Sequence, residues 1–522
     1  MTIETILKKK RTIMLVLLVL AVLVRVFFGV VKNDYHCDEG ITLALTNGTW
    51  PVHVATDHRL VWMDMGELSH RMFDSRLERG KVDYDTLTEA TARDVHPPLY
   101  YWLLFDARRI IGPSNHHLAS ITLNMLFFLV SCFFFIGIVS RIWKDTRILF
   151  LAFILFAFSS ATISLTVYMR MYELLQMVCL GFLYSAVLVC FPDGDRKPLP
   201  VLITGIAGLM VFSFMGLMTQ YYFLLFIVPV CVFAFFYLLI TKRPAALLWS
   251  MLVVLAGLYV ALRLFPPMID HLTKSQRAGQ SIANLTTKTT LSKLESIWMY
   301  IRLLSRNLVP LAVPVVAAGL AVFQQIRGRI EGNGSADESE KPGRNTVPFM
   351  ILMVLIFLFT FTIISISAPY QTVRYFAAFI PAYALTFVSV ILVLLRYRSA
   401  LVLLAASAVL VFVYGVLPGN MNVFHEDYPV PEERSYLTDD IPLMIIGTPW
   451  GYTWKNMVPY LNIPHDKRVY VMEQESVNLY AIARESGSPV VYALVDDYLP
   501  ETTEYEHISY YAFFHVYKVT VE

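Results

Sequence analysis

The sequence predicts an α-helical, multi-pass membrane protein that ends in a small α/β domain. Of its 522 residues, 57% are hydrophobic and only 16% are charged, against roughly 25% charged in soluble domains. Long apolar runs recur between residues 12 and 417. After residue 418 the runs become short and alternate between strand-like and helical patterns.

Charge and cysteine usage exclude two other classes. The net charge of +2 provides no overall field that would attract nucleic acid. Four of the five cysteines lie in apolar runs, with Cys37 the exception. A disulfide framework is therefore not expected.

The apolar runs predict eleven membrane spans, each of which needs about 20 apolar residues. The first, Thr12 to Val31, follows four basic residues and lacks the small-residue cleavage site of a signal peptide. We interpret it as a retained helix whose N-terminus is cytoplasmic. The other predicted spans are 118–140, 148–167, 173–191, 200–218, 221–240, 245–265, 308–326, 347–367, 376–395 and 400–417.

Basic residues in the connecting loops test this arrangement, because cytoplasmic loops are rich in Lys and Arg. With a cytoplasmic N-terminus, every predicted inside loop is basic, and each short outside turn holds one basic residue or none. The topology places three polar segments outside: the first loop (32–117), the segment 266–307 and the tail. The inside segment 328–345 has the composition of a flexible linker.

The tail, 418–522, is predicted to be an extracytoplasmic α/β domain, separate from a membrane domain of residues 1–417 that includes the first loop. The sequence pattern of the tail does not indicate a chemical function, and a cap over the membrane domain is the simpler interpretation. We predict strands at Leu443–Gly447, Arg468–Met472, Val490–Val495 and Ala512–Val521, and helices near Trp454–Leu461 and Ser476–Glu485.

Polar residues gather at both ends of the first loop. Asp38 and Glu39 follow the first span, and Asp94 and His96 precede Pro97. The acidic pair also suits a solvated helix start, and His96 alone is more typical of a structural hydrogen-bonding residue. The prolines start a helix from Pro98 to Ile111, which is short for a span and is expected to lie in the membrane interface.

Two arginines lie at the outer ends of later spans, each beside tyrosines: Arg170 with Tyr172, and Arg374 with Tyr375. An arginine near a membrane segment is costly unless it is paired or faces water. Each arginine alone is equally consistent with snorkelling towards headgroups. Together they favour a shared anionic partner, and arginine geometry suits phosphate.

These residues resemble the GT-C class of integral membrane glycosyltransferases, in the branch of protein O-mannosyltransferases and lipid A aminoarabinose transferases. The similarity lies in Asp38-Glu39-Gly40, in the run from Asp94 to Tyr101, in the run from Arg170 to Leu175, and in Arg374-Tyr375 with Pro381. Gln220 departs from the pattern, because many relatives have His there. The resemblance covers roughly residues 12–395 and leaves the tail uncovered.

The resemblance implies an inverting glycosyltransferase that moves a sugar from a polyprenyl-phosphate donor to an acceptor on the extracytoplasmic side. It implies that Asp38 is the general base and that Glu39 orients the acceptor or an arginine. Donor phosphate would be bound by Arg170 and Arg374 with Tyr172 and Tyr375. The substrate-positioning residues would be Asp94, His96, Tyr100, Gln220 and Tyr221.

No cofactor is implied, although Asp94 and His96 are residue types that also bind divalent cations. The expected partners are the lipid-linked donor, an acceptor glycan, lipid or protein, and membrane lipids, without nucleic acid. A transporter or flippase of a lipid-linked glycan is the main alternative, and a sensor or scaffold that works through its tail is another. Neither the sugar nor the acceptor can be identified from the sequence.

Overall fold

The computed structural model describes residues 3–32, 35–49, 62–192, 199–308, 312–330, 345–369, 372–417, 435–447, 462–473, 478–496, 498–499, 502–511 and 514–521. The chain forms two compact units. The membrane unit comprises residues 1–31, 95–100 and 121–423, and the loop-and-tail unit comprises 32–94, 101–120 and 424–522. Most first-loop residues thus group with the tail. The boundary predicted at residue 417, which places the first loop with the membrane domain, stays a prediction.

Within the described residues, eight helices are long and apolar enough to cross a membrane, by their length and composition. They are α1 (Ile3–Val31), α7 (His116–Ile142), α10 (Tyr172–Cys190), α11 (Leu199–Thr219), α12 (Phe223–Ile240), α13 (Pro244–Leu264), α18 (Thr346–Ser367) and α21 (Tyr397–Gly415). This confirms the predicted class of protein.

The predicted count of eleven spans is not confirmed. The run 148–167 forms two helices, α8 (Thr146–Ala157) and α9 (Ser160–Val167), bent by 55° at the break between them. The runs 308–326 and 376–395 form α17 (Ala312–Ile330) and α20 (Ile380–Leu394), whose apolar stretches are shorter. The short helices of this unit are α14 (Met268–Thr273), α15 (Gln276–Thr287), α16 (Thr290–Asn307) and α19 (Arg374–Ala377).

The break between α8 and α9 has a local cause. Ser159 has extended backbone angles, and its hydroxyl accepts a hydrogen bond from the backbone N–H of Thr162. It is therefore the N-cap of a new helix rather than a continuation of α8. Gly415 makes room for the break, because a Cβ at that position would lie 1.8 Å from the carbonyl oxygen of Phe158.

Burial separates the inner helices of the membrane unit from its outer ones. Every residue of α9 is buried, and nearly every residue of α10. In contrast, α1 and α13 expose large apolar side chains, including Leu15, Val16, Leu255 and Tyr259. Exposed apolar surface of this extent is typical of helices that face lipid.

The loop-and-tail unit contains a six-stranded sheet in the order β1-β3-β2-β4-β6-β5. Strand β2 pairs in parallel with β3 and with β4, and the remaining pairs are antiparallel. The strands are β1 (Met63–Asp64), β2 (Leu443–Gly447), β3 (Arg468–Glu473), β4 (Val490–Val495), β5 (Tyr505–Tyr511) and β6 (Phe514–Thr520). The first loop therefore supplies β1 to the sheet of the tail.

The helices of this unit are α2 (Cys37–Thr46), α3 (Met65–Phe73), α4 (Ser75–Glu78), α5 (Tyr84–Arg93), α6 (Leu99–Ile111), α22 (Ser435–Thr438) and α23 (Leu479–Glu485). Helix α6, which begins in the membrane unit, confirms the helix predicted after Pro98. The predicted tail strands are found as β2, β3, β4 and β6. The helix predicted near Trp454–Leu461 lies outside the described residues, and β1 and β5 were not predicted.

Arg108 of α6 holds the first-loop helices together. Its guanidinium, which is fully buried, donates to the Thr46 hydroxyl (2.6 Å), the Phe73 carbonyl (2.7 Å) and Asp74 Oδ1 (2.6 Å). Burial lowers the pKa of Arg108 to about 10, and the Asp74 carboxylate opposes this change. Arg108 also donates to the Pro113 carbonyl at 3.1 Å. A charge held by several partners inside the unit stabilises the loop and does not snorkel to headgroups.

Candidate functional site

Asp38 lies in the first turn of α2, where the sequence builds a capping box around it. The ring of His36, the N-cap residue, accepts a hydrogen bond from the backbone N–H of Asp38 at 3.0 Å. In return, Glu39 Oε2 accepts the backbone N–H of His36 at 2.8 Å. The two carboxylates therefore differ in position: Glu39 is fully buried in the cap, and the Asp38 side chain is 18% exposed.

Glu39 also forms an ion pair with Lys32, whose ammonium lies over the ring of Tyr35 at 4.6 Å. Burial and the nearby Glu39 carboxylate raise the pKa of the Tyr35 hydroxyl above its usual range. Tyr35 is thus protonated at neutral pH and is not a base. These contacts give Glu39 a structural function beside its predicted catalytic one.

Among the described residues, one group of side chains has the spacing of a metal site. Ligand atoms of His36, Cys37 and Asp38 lie within 4.8 Å of one another. His36 Nδ1, however, already accepts the Asp38 N–H that caps α2. A metal bound at Nδ1 would compete with the helix cap, so these residues are a poor fit for a resident ion. The metal alternative considered for Asp94 and His96 stays a prediction.

Arg170 and His96 contact each other inside the membrane unit. Arg170 lies in the turn between α9 and α10 and is 2% exposed. Its Nη2 is 3.4 Å from His96 Nε2. The structure therefore brings together residues from two of the motifs found in the sequence, which are 74 positions apart.

Asn124 of α7 holds the turn that carries Arg170. Its buried amide donates to the carbonyl oxygens of Thr166 (3.2 Å) and Tyr168 (2.9 Å). Its own Oδ1 lies 3.4 Å from the Tyr100 hydroxyl. Carbonyls at the end of a helix lack intrahelical partners, and Asn124 supplies one for each of these two.

A chain of buried polar groups holds the two helices that flank the turn. Arg25 Nε donates to Thr166 Oγ1 (3.0 Å), and this hydroxyl donates to Glu173 Oε2 (3.1 Å). Gln176 donates to the other oxygen of Glu173 (2.7 Å), and the Arg25 guanidinium lies over the Phe128 ring at 3.5 Å. Arg25 also donates to the Ala157 carbonyl at the end of α8 (2.8 Å). Buried polar networks of this kind fix one arrangement of helices.

Arg374 begins the short helix α19, which packs against α9. Arg374 is mostly buried and lies over the Tyr375 ring, 5.5 Å from its centroid. The centroids of the Tyr375 and Tyr222 rings are 5.4 Å apart. Residues of two separate motifs thus meet in the membrane unit.

Gln220 and Tyr221, two of the predicted positioning residues, have local structural contacts. Gln220 Oε1 accepts the backbone N–H of Tyr221 at 2.7 Å, which stabilises the turn before α12. The Tyr221 hydroxyl is 2.8 Å from His271 Nδ1 in α14. The neighbouring residue, Tyr222, is the one whose ring contacts Tyr375. The sequence alone does not show which of the adjacent residues Tyr221 and Tyr222 makes this contact.

The predicted site residues divide between the two units. His96, Tyr100, Arg170, Tyr172, Gln220, Tyr221, Arg374 and Tyr375 belong to the membrane unit, and Asp38, Glu39 and Asp94 belong to the loop-and-tail unit. Asp94 is half-buried at the end of α5, where its N–H bonds to the Ala90 carbonyl. The catalytic and binding functions assigned to all these residues stay predictions.

Structural comparison identifies the fold. No protein-family model and no curated protein matches the sequence. The crystal structure of ArnT from Cupriavidus metallidurans, bound to undecaprenyl phosphate, matches with a TM-score of 0.51 at 11% identity, over 97% of both chains. The chain has the GT-C fold. The resemblance predicted from the sequence is therefore confirmed at the level of fold.

A second GT-C structure gives a weaker match. It is the archaeal oligosaccharyltransferase AglB from Archaeoglobus fulgidus, in complex with an inhibitory peptide and a dolichol-phosphate. The TM-score is 0.43 at 11% identity, over 92% of this chain and 69% of AglB. The match to ArnT, over 97% of this chain, extends beyond residues 12–395, where the sequence motifs lie, into the tail.

Proposed function

We propose that this chain is an inverting glycosyltransferase of the membrane, which transfers a sugar from a polyprenyl-phosphate donor to an acceptor on the extracytoplasmic side. The observations that carry the proposal are two sets of contacts in a membrane unit with the GT-C fold: Arg170 contacts His96, and Tyr375 contacts both Arg374 and Tyr222. Two mostly buried arginines in adjacent segments suit a lipid phosphate, whose charge they compensate in a medium poor in water. The fold match to a transferase bound to undecaprenyl phosphate supports the same class of donor.

The proposed reaction has one step. Asp38 takes the proton from an acceptor hydroxyl, and the acceptor oxygen forms a bond to the anomeric carbon of the sugar. The bond from that carbon to the phosphate oxygen breaks, and the lipid phosphate leaves with the electron pair. Attack opposite the leaving group inverts the anomeric centre.

Each assigned residue contributes to a different part of this step. Arg170 and Arg374, with Tyr172 and Tyr375, bind the phosphate and stabilise the charge that grows on it, an effect that reaches several kcal/mol in a preorganised site. Asp38 suits the base better than Glu39, since the Glu39 side chain is fully buried in the cap of α2 and the Asp38 side chain is partly exposed. His96, which contacts Arg170, positions the phosphate. The proposed step uses no cofactor, and the divalent-cation alternative at Asp94 and His96 stays a prediction.

The test is a transfer assay with purified protein in nanodiscs and a panel of undecaprenyl-phosphate sugars. Asp38→Asn is expected to abolish transfer while undecaprenyl phosphate binds as before, and Asp85→Asn, at an exposed site in the same loop, should behave as wild type. Arg374→Ala should weaken donor binding, with Arg302→Ala, exposed on α16, as its control. Wild-type turnover in Asp38→Asn would remove it as the base. Flipping of a lipid-linked glycan without transfer would support the transporter alternative.

A further inference from the structure

The tail contacts the chain just before Asp38 through one side chain. Asn462 Oδ1 accepts the backbone N–H of Tyr35 at 2.8 Å, and Asn462 Nδ2 donates to the carbonyl oxygen of Tyr35 at 3.1 Å. Both polar atoms of one amide therefore bind both backbone polar groups of one residue. This is the pairing that one strand makes with another, here made by a side chain from 427 positions away.

Further contacts hold Tyr35 in place at the start of the segment that carries Asp38. Its ring packs edge-on against the ring of His117, with centroids 5.7 Å apart, and lies under the Lys32 ammonium. The next residue, His36, caps α2 and binds the N–H of Asp38. Tyr35, the residue that Asn462 binds, is therefore only three positions before Asp38 in the chain.

Other contacts make Asn462 part of a rigid attachment and not an isolated bond. Residues of the same tail segment pair with the first loop: the N–H of Gly66 donates to the His465 carbonyl (2.8 Å), and the N–H of Met65 to the Lys467 carbonyl (2.9 Å). Strand β1 continues this pairing onto β3. A Cβ at Gly66 would lie 3.1 Å from the His465 backbone oxygen, so the two segments approach closely.

From this arrangement we infer that Asn462 is a positioning residue for the Asp38 base, and that the tail takes part in the reaction by holding the first loop in place. The inference rests on the proposed function. It assigns the tail a function that a simple cap does not have, and it separates base positioning from donor binding, because the phosphate-binding residues belong to the membrane unit. A displacement of about 1 Å in a catalytic group can lower turnover about a hundredfold.

The experiment compares Asn462→Ala, Asn462→Asp and Asn478→Ala in the transfer assay. Asn478 is a matched control, because it also bonds the backbone within the tail, as the N-cap of α23. We expect Asn462→Ala to lower kcat about 10- to 100-fold, with the KM for the donor changed less than about twofold. Asn462→Asp retains the acceptor for the Tyr35 N–H but places a second acceptor against the Tyr35 carbonyl, and should lose as much. Asn478→Ala should retain wild-type kcat.

Thermal unfolding and the pH dependence of kcat separate positioning from a loss of structure. If Asn462 positions Asp38, the pH profile of Asn462→Ala changes shape while the unfolding midpoint remains close to that of Asn478→Ala. Wild-type kcat in Asn462→Ala, or an equal loss in Asn478→Ala, overturns the inference. If the wild-type protein has no transfer activity, the proposed function is wrong. If Asp38→Asn is inactive and Asn462→Ala is fully active, only the inference about Asn462 is wrong.

Discussion

Thr166→Val isolates the hydroxyl that joins Arg25 to Glu173. Valine has nearly the shape of threonine, so it fills the same volume and leaves the backbone carbonyl that Asn124 binds. The hydroxyl lies 3.0 Å from Arg25 Nε and 3.1 Å from Glu173 Oε2. The substitution therefore removes two hydrogen bonds and creates no cavity.

The expected cost follows from the partners that remain. Hydrogen bonds to charged groups contribute about 1.5–3 kcal/mol each, whereas polar contacts between membrane helices average about 0.6 kcal/mol. Arg25 keeps the Ala157 carbonyl, the Ala21 carbonyl and the Phe128 ring, and Glu173 keeps Gln176. We therefore expect a loss of about 2–4 kcal/mol in the free energy of unfolding, which lies between these two limits.

The assay is thermal unfolding in nanodiscs of wild type, Thr166→Val and Thr166→Ser. Serine keeps the hydroxyl, and its midpoint should lie close to that of wild type, while the valine variant should unfold at a clearly lower temperature. Since α9 leads into the turn with Arg170, affinity for undecaprenyl phosphate should fall in the valine variant and recover in the serine variant. Equal midpoints for valine and wild type would refute the bridging function of the hydroxyl, as would an equal loss in both variants.

Two further predictions concern residues whose structural function is visible only in the fold. Gly415→Ala should strongly destabilise the membrane unit, because its Cβ would meet the Phe158 carbonyl at 1.8 Å, whereas Gly319→Ala, with open space around it, should be neutral or slightly stabilising in the same unfolding assay. Asn47 fits an N-glycosylation pattern with Gly48 and Thr49, but it is fully buried and its amide binds the backbone of Met72 and Leu77. Asn47→Ala should lower the unfolding midpoint of the protein without any change in its glycan mass, and a glycan at Asn47 would contradict this.

The sequence predicted the class of fold because lipid imposes a simple rule on composition. A span must be apolar along its length, so the apolar runs coincide with helices in the structure, and the run 148–167 forms two of them. The helix boundaries differ where that rule meets local capping: Ser159 and Ser160 are not polar enough to interrupt an apolar run, yet Ser159 is the N-cap of a new helix. Strand β1 was missed because two residues, Met63 and Asp64, have no periodicity, and their partners are about 400 positions away.

The candidate site was predicted in part for a similar reason. Arginine and histidine in an apolar chain are rare enough to attract attention, so Arg170, His96 and Arg374 were found from the sequence. Tyr222 was not distinguished from Tyr221, because the direction of a side chain at a turn depends on backbone angles. Glu39 was paired with Asp38, although the capping box gives the two carboxylates different surroundings.

The residues that hold the site carry no motif, because they bind backbone atoms. Asn124 binds two carbonyls near Arg170, and Asn462 binds the N–H and carbonyl of a residue near Asp38. Every residue except proline offers both groups, so the sequence of the bound segment does not reveal such a contact. In each case the binding residue is a single asparagine. Its function becomes visible only when the fold places it beside a distant segment.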